Sequence, residues 1–379
     1  MELGVLIAPD SFKGCASSER VGELIEQGVR RVVPNACVRR FQVADGGEGT
    51  VDAVVSARGG EVREAVVTGP LDEPVRARYA LVDGDAAVIE VAEPCGIGLI
   101  DQTSDRARRA SSEGVGELIL DAVDAGARRV FVGLGGSAPS DGGTGMARAL
   151  GARFLDVEGN AVPRGLEGLA HLASVDLSGL SPKLQGVEVV ALADVSNPLC
   201  GPEGAVYVYG PQKGLAADEL ELCDGWMRHY AKVLRAELGR DVSVTPGSGA
   251  AGGLGAGLLA FCDARVVSGI ECVLDLAGLD GALDGVDLVI TGEGRMDAQS
   301  AFGKAPVGVA HRARRHGVPV VAVVGSRADD LGGVYDEGIG LVVPCVTEPC
   351  SLEACLARAE RSIPIAGESA VRAYLLGRG

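Results

Sequence analysis

Short apolar runs, amphipathic stretches and Gly-rich breaks alternate along most of this chain. Residues 3–9 (LGVLIAP) form a continuous apolar run of strand length, and residues 17–33 behind it carry Val21, Leu24, Ile25, Val29, Val32 and Val33 at helical spacing. The pair predicts a buried strand followed by an amphipathic helix, with Ser17 or Ser18 as N-cap and Pro34 as stop. A second strand is predicted over 37–45 (CVRRFQVAD), leading into ADGGEGT and a short helix. From Glu61 the texture changes: EVREAVVTG, PVRARYALVDG and AAVIEVAEP are closely spaced runs separated by Gly69-Pro70 and Asp83-Gly84-Asp85, the pattern of antiparallel pairing. After Glu113 the α/β alternation resumes, with a helix over 117–125, the strand RRVFVGL, a helix from about Gly145, the strand VEVVALADV, a long helix over 218–238 and a Gly-rich helix start near Gly253. Finally DLVITGEG, VPVVAVVG and GLVVPC predict three parallel strands with helices between them.

This change of texture predicts an α/β protein of two domains. Residues 1–61 and 286–379 would make one discontinuous, doubly wound parallel-sheet domain, residues 62–285 an inserted mixed α/β domain, and the cleft between them the ligand site. A length of 379 residues and 47% hydrophobic content suffice for two cores. Glycine, at 57 residues, sits in discrete loops without a G-X-Y period, so it punctuates a fold and does not mark disorder.

Those loops carry the chemistry: IAPDSFKG (7–14), ADGGEGT (44–50), GLGGSAPSDGG (133–143), ADVSNPLCGP (193–202), GPQKG (210–214), GSGAAGGLGAG (247–257) and TGEGRMDAQSAFGKAP (291–306). Several directly follow a predicted strand, which gathers their polar atoms at the carboxyl edge of a sheet, where open α/β folds bind ligands. One such loop alone is most simply a tight turn. Six of the seven carry acids or lysines, and together they point to a site for a highly charged small molecule. In the first, Asp10, Ser11 and Lys13 suit a carboxylate or phosphate. In the second, Gly46 and Gly47 let backbone N–H groups approach phosphate, while Asp45 and Glu48 suit a metal or a hydroxyl. Gly135, Gly136 and Ser137 form a candidate N–H nest, with Asp141 as helix cap or ligand. Asp194 ends an apolar strand, a depth at which an acid is paired or catalytic. Lys213 stands on a predicted turn, and Glu293, Arg295, Asp297 and Lys304 crowd the last loop. The uncharged 247–257 loop reads as close helix packing as readily as a ligand site. Cations to neutralise phosphate and acids to hold a metal or take a proton are the parts of phosphoryl transfer.

Other classes fit less well. A net charge of −17 and 3% aromatic residues argue against a nucleic-acid partner. The longest nearly apolar stretch, 253–262, is about half of the roughly 20 residues that span a bilayer. Together with ten cysteines lacking CxxC pairs, this predicts a cytoplasmic protein with reduced thiols. Cys345, Cys350 and Cys355 recur every fifth residue, a spacing that suits neither a zinc knuckle nor one helical face. No histidine lies within a Gly-rich loop, the G-x-S-x-G elbow is missing, and Gly303-Lys304 is followed by Ala305, so neither a Ser-His-Asp hydrolase nor a Walker A P-loop applies. A dehydrogenase is weakened by the absent GxGxxG. A non-enzymatic sensor of a small hydroxy acid or nucleotide stays open, although it has no need of so many acids beside glycines.

The ordered strings IAPDSFKG, ADGGEGT, GLGGSA..DGG, DVSNPLCG, GPQKG, GAAGGLGAG and DLVITGEGR.D...GK closely resemble the bacterial glycerate kinases over nearly the whole chain. The resemblance implies a Rossmann-like or flavodoxin-like domain split by an inserted one, with ATP and Mg2+ as cosubstrates. It implies phosphorylation of (R)-glycerate to 2-phosphoglycerate, with glycerate and ATP as small-molecule partners and no nucleic acid or membrane. On that basis Lys13 or Arg295 pairs the glycerate carboxylate, Asp194 or Asp45 accepts the hydroxyl proton, and Asp45, Asp194 and Asp297 are the candidate magnesium ligands. The chain departs from the pattern at Pro139-Ser140 in the third loop, at Ala193 and Ser196 in the fourth, and at Ala298 and Ser300 within the run from Arg295 through Phe302 to Lys304. With Ser196 in place of an acid, Asp194 is the only carboxylate in its loop. The sequence fixes no oligomeric state.

Overall fold

The three central apolar runs of the terminal segments are buried on two sides, and the alternation of their side chains decides which residue meets which layer. In the strand Gly4–Pro9, Val5 and Ile7 join one cluster with Val21, Leu24, Ile25 and Val29 of the helix Ser18–Val32. Leu6 and Ala8 join another with Val309, Ala310 and Ala313 of the helix Ala305–Arg315. The strands Leu288–Met296 and Val320–Arg327 split the same way, Ile290 and Val323 to the first layer, Val289 and Ala322 to the second. This period of two turns a continuous apolar run into a sheet covered on both faces. The helix Ala359–Leu376 completes the first layer through Ile363, Ala366, Ala370 and Val371.

The coordinates are those of a computed structural model, which describes residues 3–301 and 303–378. The chain forms two compact units: a terminal unit running to Asp45, with Asp52–Arg58 and everything from Ile270 onward, and a middle unit of Gly46–Val51 and Gly59–Gly269. Residues 270–285, expected with the inserted domain, pack in the terminal unit instead, where Ile270, Leu274 and Leu283 share a core with Val309. Buried Arg312 bonds Glu271 and Asp280, each at 2.6 Å, and reinforces that attachment.

In the terminal unit five parallel strands lie in the order Ile339–Pro344, Val320–Arg327, Leu288–Met296, Gly4–Pro9, Cys37–Arg40. Numbered along the chain within this unit, that is 2-1-3-4-5 read from the opposite edge, the flavodoxin-like doubly wound order. Its switch point lies between Gly4–Pro9 and Leu288–Met296, whose flanking helices cover opposite faces. Two expectations are corrected here. The strand expected over 37–45 ends at Arg40, because it is an edge strand whose later residues follow Phe41 away after its amide bonds the Ile7 carbonyl at 2.8 Å. No helix separates the last two strands; the Gly332-Gly333 stretch turns back with only Leu331 and Val334 anchored in the core.

The middle unit holds a six-stranded mixed sheet in the order Arg265–Val267, Glu188–Leu192, Arg129–Gly133, Ala86–Glu90, Pro74–Val82, Glu61–Thr68, with the first four parallel and the last two antiparallel. A two-stranded ladder joins Arg153–Leu155 and Ser174–Asp176. The helix expected from 117 begins at Glu113, since Gly114 and Gly116, which read as breaks, lie inside it. A Cβ on Gly116 would stand 2.3 Å from the Met146 carbonyl of the helix Thr144–Ala149, so glycine there permits helix contact.

Candidate active site

Parallel register assembles the terminal site. Pro9 pairs with Gly292, and the Asp10 amide donates to the Gly292 carbonyl at 2.8 Å, which sets Asp10 beside Glu293 at the switch point although 283 positions separate them in sequence. There a cleft of about 580 Å³ is lined by Asp10, Ser11, Lys13, Asp45, Glu293, Arg295 and Lys304, among others. Seven sequence candidates from three loops thus share one cavity.

Its electrostatics are those of crowded acids. Burial, then the nearby charge of Asp45, lifts the Asp10 carboxyl to about 6; the Ser11 amide at 2.6 Å and Lys13 offset part of this, and Glu293 adds to it. Glu293 is buried and also raised, chiefly by burial, with the Ser300 hydroxyl and Lys304 opposing. Lys304 Nζ lies 3.9 Å from Glu293 Oε2, while Oε1 is buried without a hydrogen-bond partner among the described residues. Asp297 stands outside the lining. Its carboxylate accepts from the Gln299 amide at 3.0 Å and acts on Glu293 through its charge. Phe302 lies outside the described residues.

The remaining candidates belong to the middle unit, where register again sets a row. Glu90, Gly133, Leu192 and Val267 align across the carboxyl ends of the four parallel strands. Gly46 and Gly47 pack backbone to backbone on the loop after Gly133; a Cβ on Gly135 would stand 2.5 Å from Gly47 Cα. Gly136 and Glu48 are exposed, Ser137 is buried. Lys213 is not on a turn. It ends the helix Ala205–Lys213, is 2% exposed, and donates to Ser137 Oγ at 3.0 Å and to the Pro139 carbonyl at 2.6 Å, burial lowering its ammonium to about 8. It therefore braces the Gly135–Ser137 loop from behind. Asp194 is half-buried two residues past its strand, where its carboxylate accepts from Ser268 Oγ at 2.8 Å.

A model of the glycerate kinase family matches residues 5–375. The chain belongs to that family. It is 45% identical over 350 residues to the glycerate kinase of Bacillus subtilis (strain 168), and 43% identical over 350 residues to the glycerate 2-kinase of Escherichia coli (strain K12), with 92% of both chains covered in each comparison. It is also similar to a crystal structure from Salmonella typhimurium LT2 that bears the name glycerate kinase 2, at 40% identity, a TM-score of 0.84 and full coverage of both chains. Family membership makes the protein a phosphotransferase acting on glycerate and, as a kinase, an ATP-dependent one.

Within this glycerate kinase fold, sequence reasoning missed two supports. Glu90, 3% exposed, accepts from the Val51 amide at 2.7 Å and the Gly49 amide at 3.2 Å, holding the ADGGEGT loop; inside AAVIEV it read as one more strand residue. Ser112 is the other. Asp141, wholly buried, accepts from the Ser112 amide and hydroxyl, each at 2.9 Å, and from the Gly143 and Gly145 amides, each at 3.0 Å, so it acts as a helix cap. The 247–257 loop packs closely too, a Cβ on Gly253 standing 2.8 Å from Gly142 Cα. All ten cysteines are free, and among the described residues no helix is long and apolar enough to cross a membrane.

Proposed function

We propose that the protein transfers the γ-phosphoryl group of ATP to the 2-hydroxyl of (R)-glycerate, giving 2-phosphoglycerate and ADP, the position echoing the name of the Escherichia coli relative. The observation that carries this reading is the cleft at the switch point of the five-stranded sheet, which brings Asp10, Asp45 and Glu293 together with Lys13, Arg295 and Lys304. The loose transition state of phosphoryl transfer leaves positioning and charge neutralisation as the main work. Lys13 or Arg295 pairs the glycerate carboxylate, Ser11 orients it, and Lys304 takes phosphate charge. Asp45, or Asp10 with its carboxyl near 6, receives the hydroxyl proton, and Asp194 is the middle unit's candidate for that role. Gly46, Gly47, Glu48, Gly135, Gly136 and Ser137 supply amides and polar groups for an anion, with Lys213 bracing them.

Magnesium suits this donor set, because it takes one or two carboxylates and completes its octahedron with water and phosphate oxygens. Among the described residues no three such side chains are gathered as a cage of their own. Glu293, with its unpartnered buried Oε1, joins Asp45 and Asp297 as the terminal unit's candidates, of which one or two would hold it, and Asp194 is the middle unit's own candidate ligand. Bound there, the ion would neutralise the β- and γ-phosphates.

Incubation with ATP, magnesium and (R)-glycerate, following ADP release and assigning the product by NMR, tests the reading. Glycerate should be turned over far better than glycerol, which offers no carboxylate to Lys13 or Arg295, and excess EDTA should abolish turnover reversibly. Equal rates on the two alcohols would overturn the proposal, and a product carrying phosphate on the 3-hydroxyl would overturn its regiochemistry.

A further inference from the structure

The cleft of the terminal unit has two chemically different ends. One holds the acids and cations described above. The other, formed after the strand Ile339–Pro344, is walled by Val346, Leu352, Leu356 and Ile363 with the thiols of Cys350 and Cys355. Val346, Leu352 and Leu356 are 36%, 75% and 40% exposed, three large apolar side chains on one short segment. Such clustering marks a surface made to be covered, where scattered single residues would not.

We propose that this wall is the purine subsite of the cleft, holding the base of the nucleotide whose phosphates meet Lys13, Arg295 and Lys304; the inference rests on the kinase reading above. Glycerate, all carboxylate and hydroxyl, has no surface for such a wall, and a cavity of about 580 Å³ is of the size that holds a drug-sized ligand. Three strand spacings, about 14 Å, separate Gly4–Pro9 from Ile339–Pro344. A nucleoside with a triphosphate tail bridges that span, and glycerate does not. The wall is preformed. Ser351 caps the helix Leu352–Ala357 through the Ala354 amide at 3.2 Å, and Arg358 pairs with Glu348 across the segment.

The two thiols, 3.0 Å apart, are built-in reporters. Alkylation of Cys350 and Cys355 by N-ethylmaleimide, quantified by peptide mass spectrometry, should slow with adenosine or ATP and not with inorganic triphosphate, while exposed Cys37 outside the cleft reacts at an unchanged rate. Leu352→Asp should raise KM for ATP by at least about tenfold, the scale of losing one buried leucine contact, with KM for glycerate and the melting temperature unchanged. Thiols as reactive with adenosine as without it, or an unchanged KM for ATP, would overturn the subsite. If wild-type turnover of glycerate persists in that case, the kinase reading stands; if adenosine protects but glycerate is not phosphorylated, the subsite stands and the kinase reading falls.

Discussion

Replacing Asp10 by Asn tests whether the terminal cleft holds its acids against desolvation and their own repulsion. Burial, then the charges of Asp45 and Glu293, lift the Asp10 carboxyl from 3.8 to about 6 despite the Ser11 amide and Lys13. A carboxyl raised by folding binds its proton more tightly in the folded state. Its contribution to stability is therefore fully present below about pH 4 and is lost as pH rises through about 6. At about 1.4 kcal/mol per pH unit, the displacement amounts to about 3 kcal/mol of destabilisation at neutral pH. Asn keeps the shape and carries no charge, so Asp10→Asn should be more stable than wild type by up to about 3 kcal/mol near pH 7.5, with little difference near pH 4. Turnover should fall by roughly 10²-fold in the same preparation, the scale of losing a positioned acid or base. Urea unfolding followed by far-UV circular dichroism at both pH values measures the first effect. Trp226, the only tryptophan, lies in the middle unit, so tryptophan fluorescence does not report directly on the terminal one. A variant no more stable at neutral pH, or equally stabilised at both, would refute the electrostatic argument.

Asp141→Ala should lower stability by roughly 3 kcal/mol or more, because it strands three amides and the Ser112 hydroxyl in a buried site; the melting temperature checks this. Lys213→Met keeps the apolar stem but removes the donor to Ser137 and Pro139, and kcat should drop about tenfold or more as the loop loosens. Burial lowers the Lys213 ammonium to about 8, so the wild type gains stability as pH rises through 8 toward the value of an exposed lysine, a slope that denaturation series should find missing in the variant. Asp194→Asn should cut kcat by roughly 10²-fold at an unchanged melting temperature; lost stability with unchanged turnover would leave proton transfer to Asp10 or Asp45.

Much of the fold is legible because its signals are local. The stripe from Val21 to Val29, capped by Ser17, is a helix in any context that buries one face, and GVLIAP, DLVITG and VPVVAVV are too short and too apolar for anything but covered parallel strands. The errors came where a local signal has two meanings. Glycine reads as a break, yet in the helix Glu113–Asp124 it serves close packing. A lysine between glycines reads as a turn residue facing a ligand, yet Lys213 ends a helix and is sealed behind the loop it supports. Glu90 carried no signal, since one acid in an apolar strand looks the same whether it is tolerated or holds the next loop.

By itself the sequence determined the element types, the crowding of acids, lysines and glycines at strand ends, and hence a charged small-molecule chemistry. Tertiary structure alone decided that these loops fall into two sets, one per unit, and that Asp10, Asp45 and Glu293 share one cavity. The register of strands far apart in the chain creates that neighbourhood, and the lifted Asp10 carboxyl follows from burial and from charges which no local stretch of sequence contains.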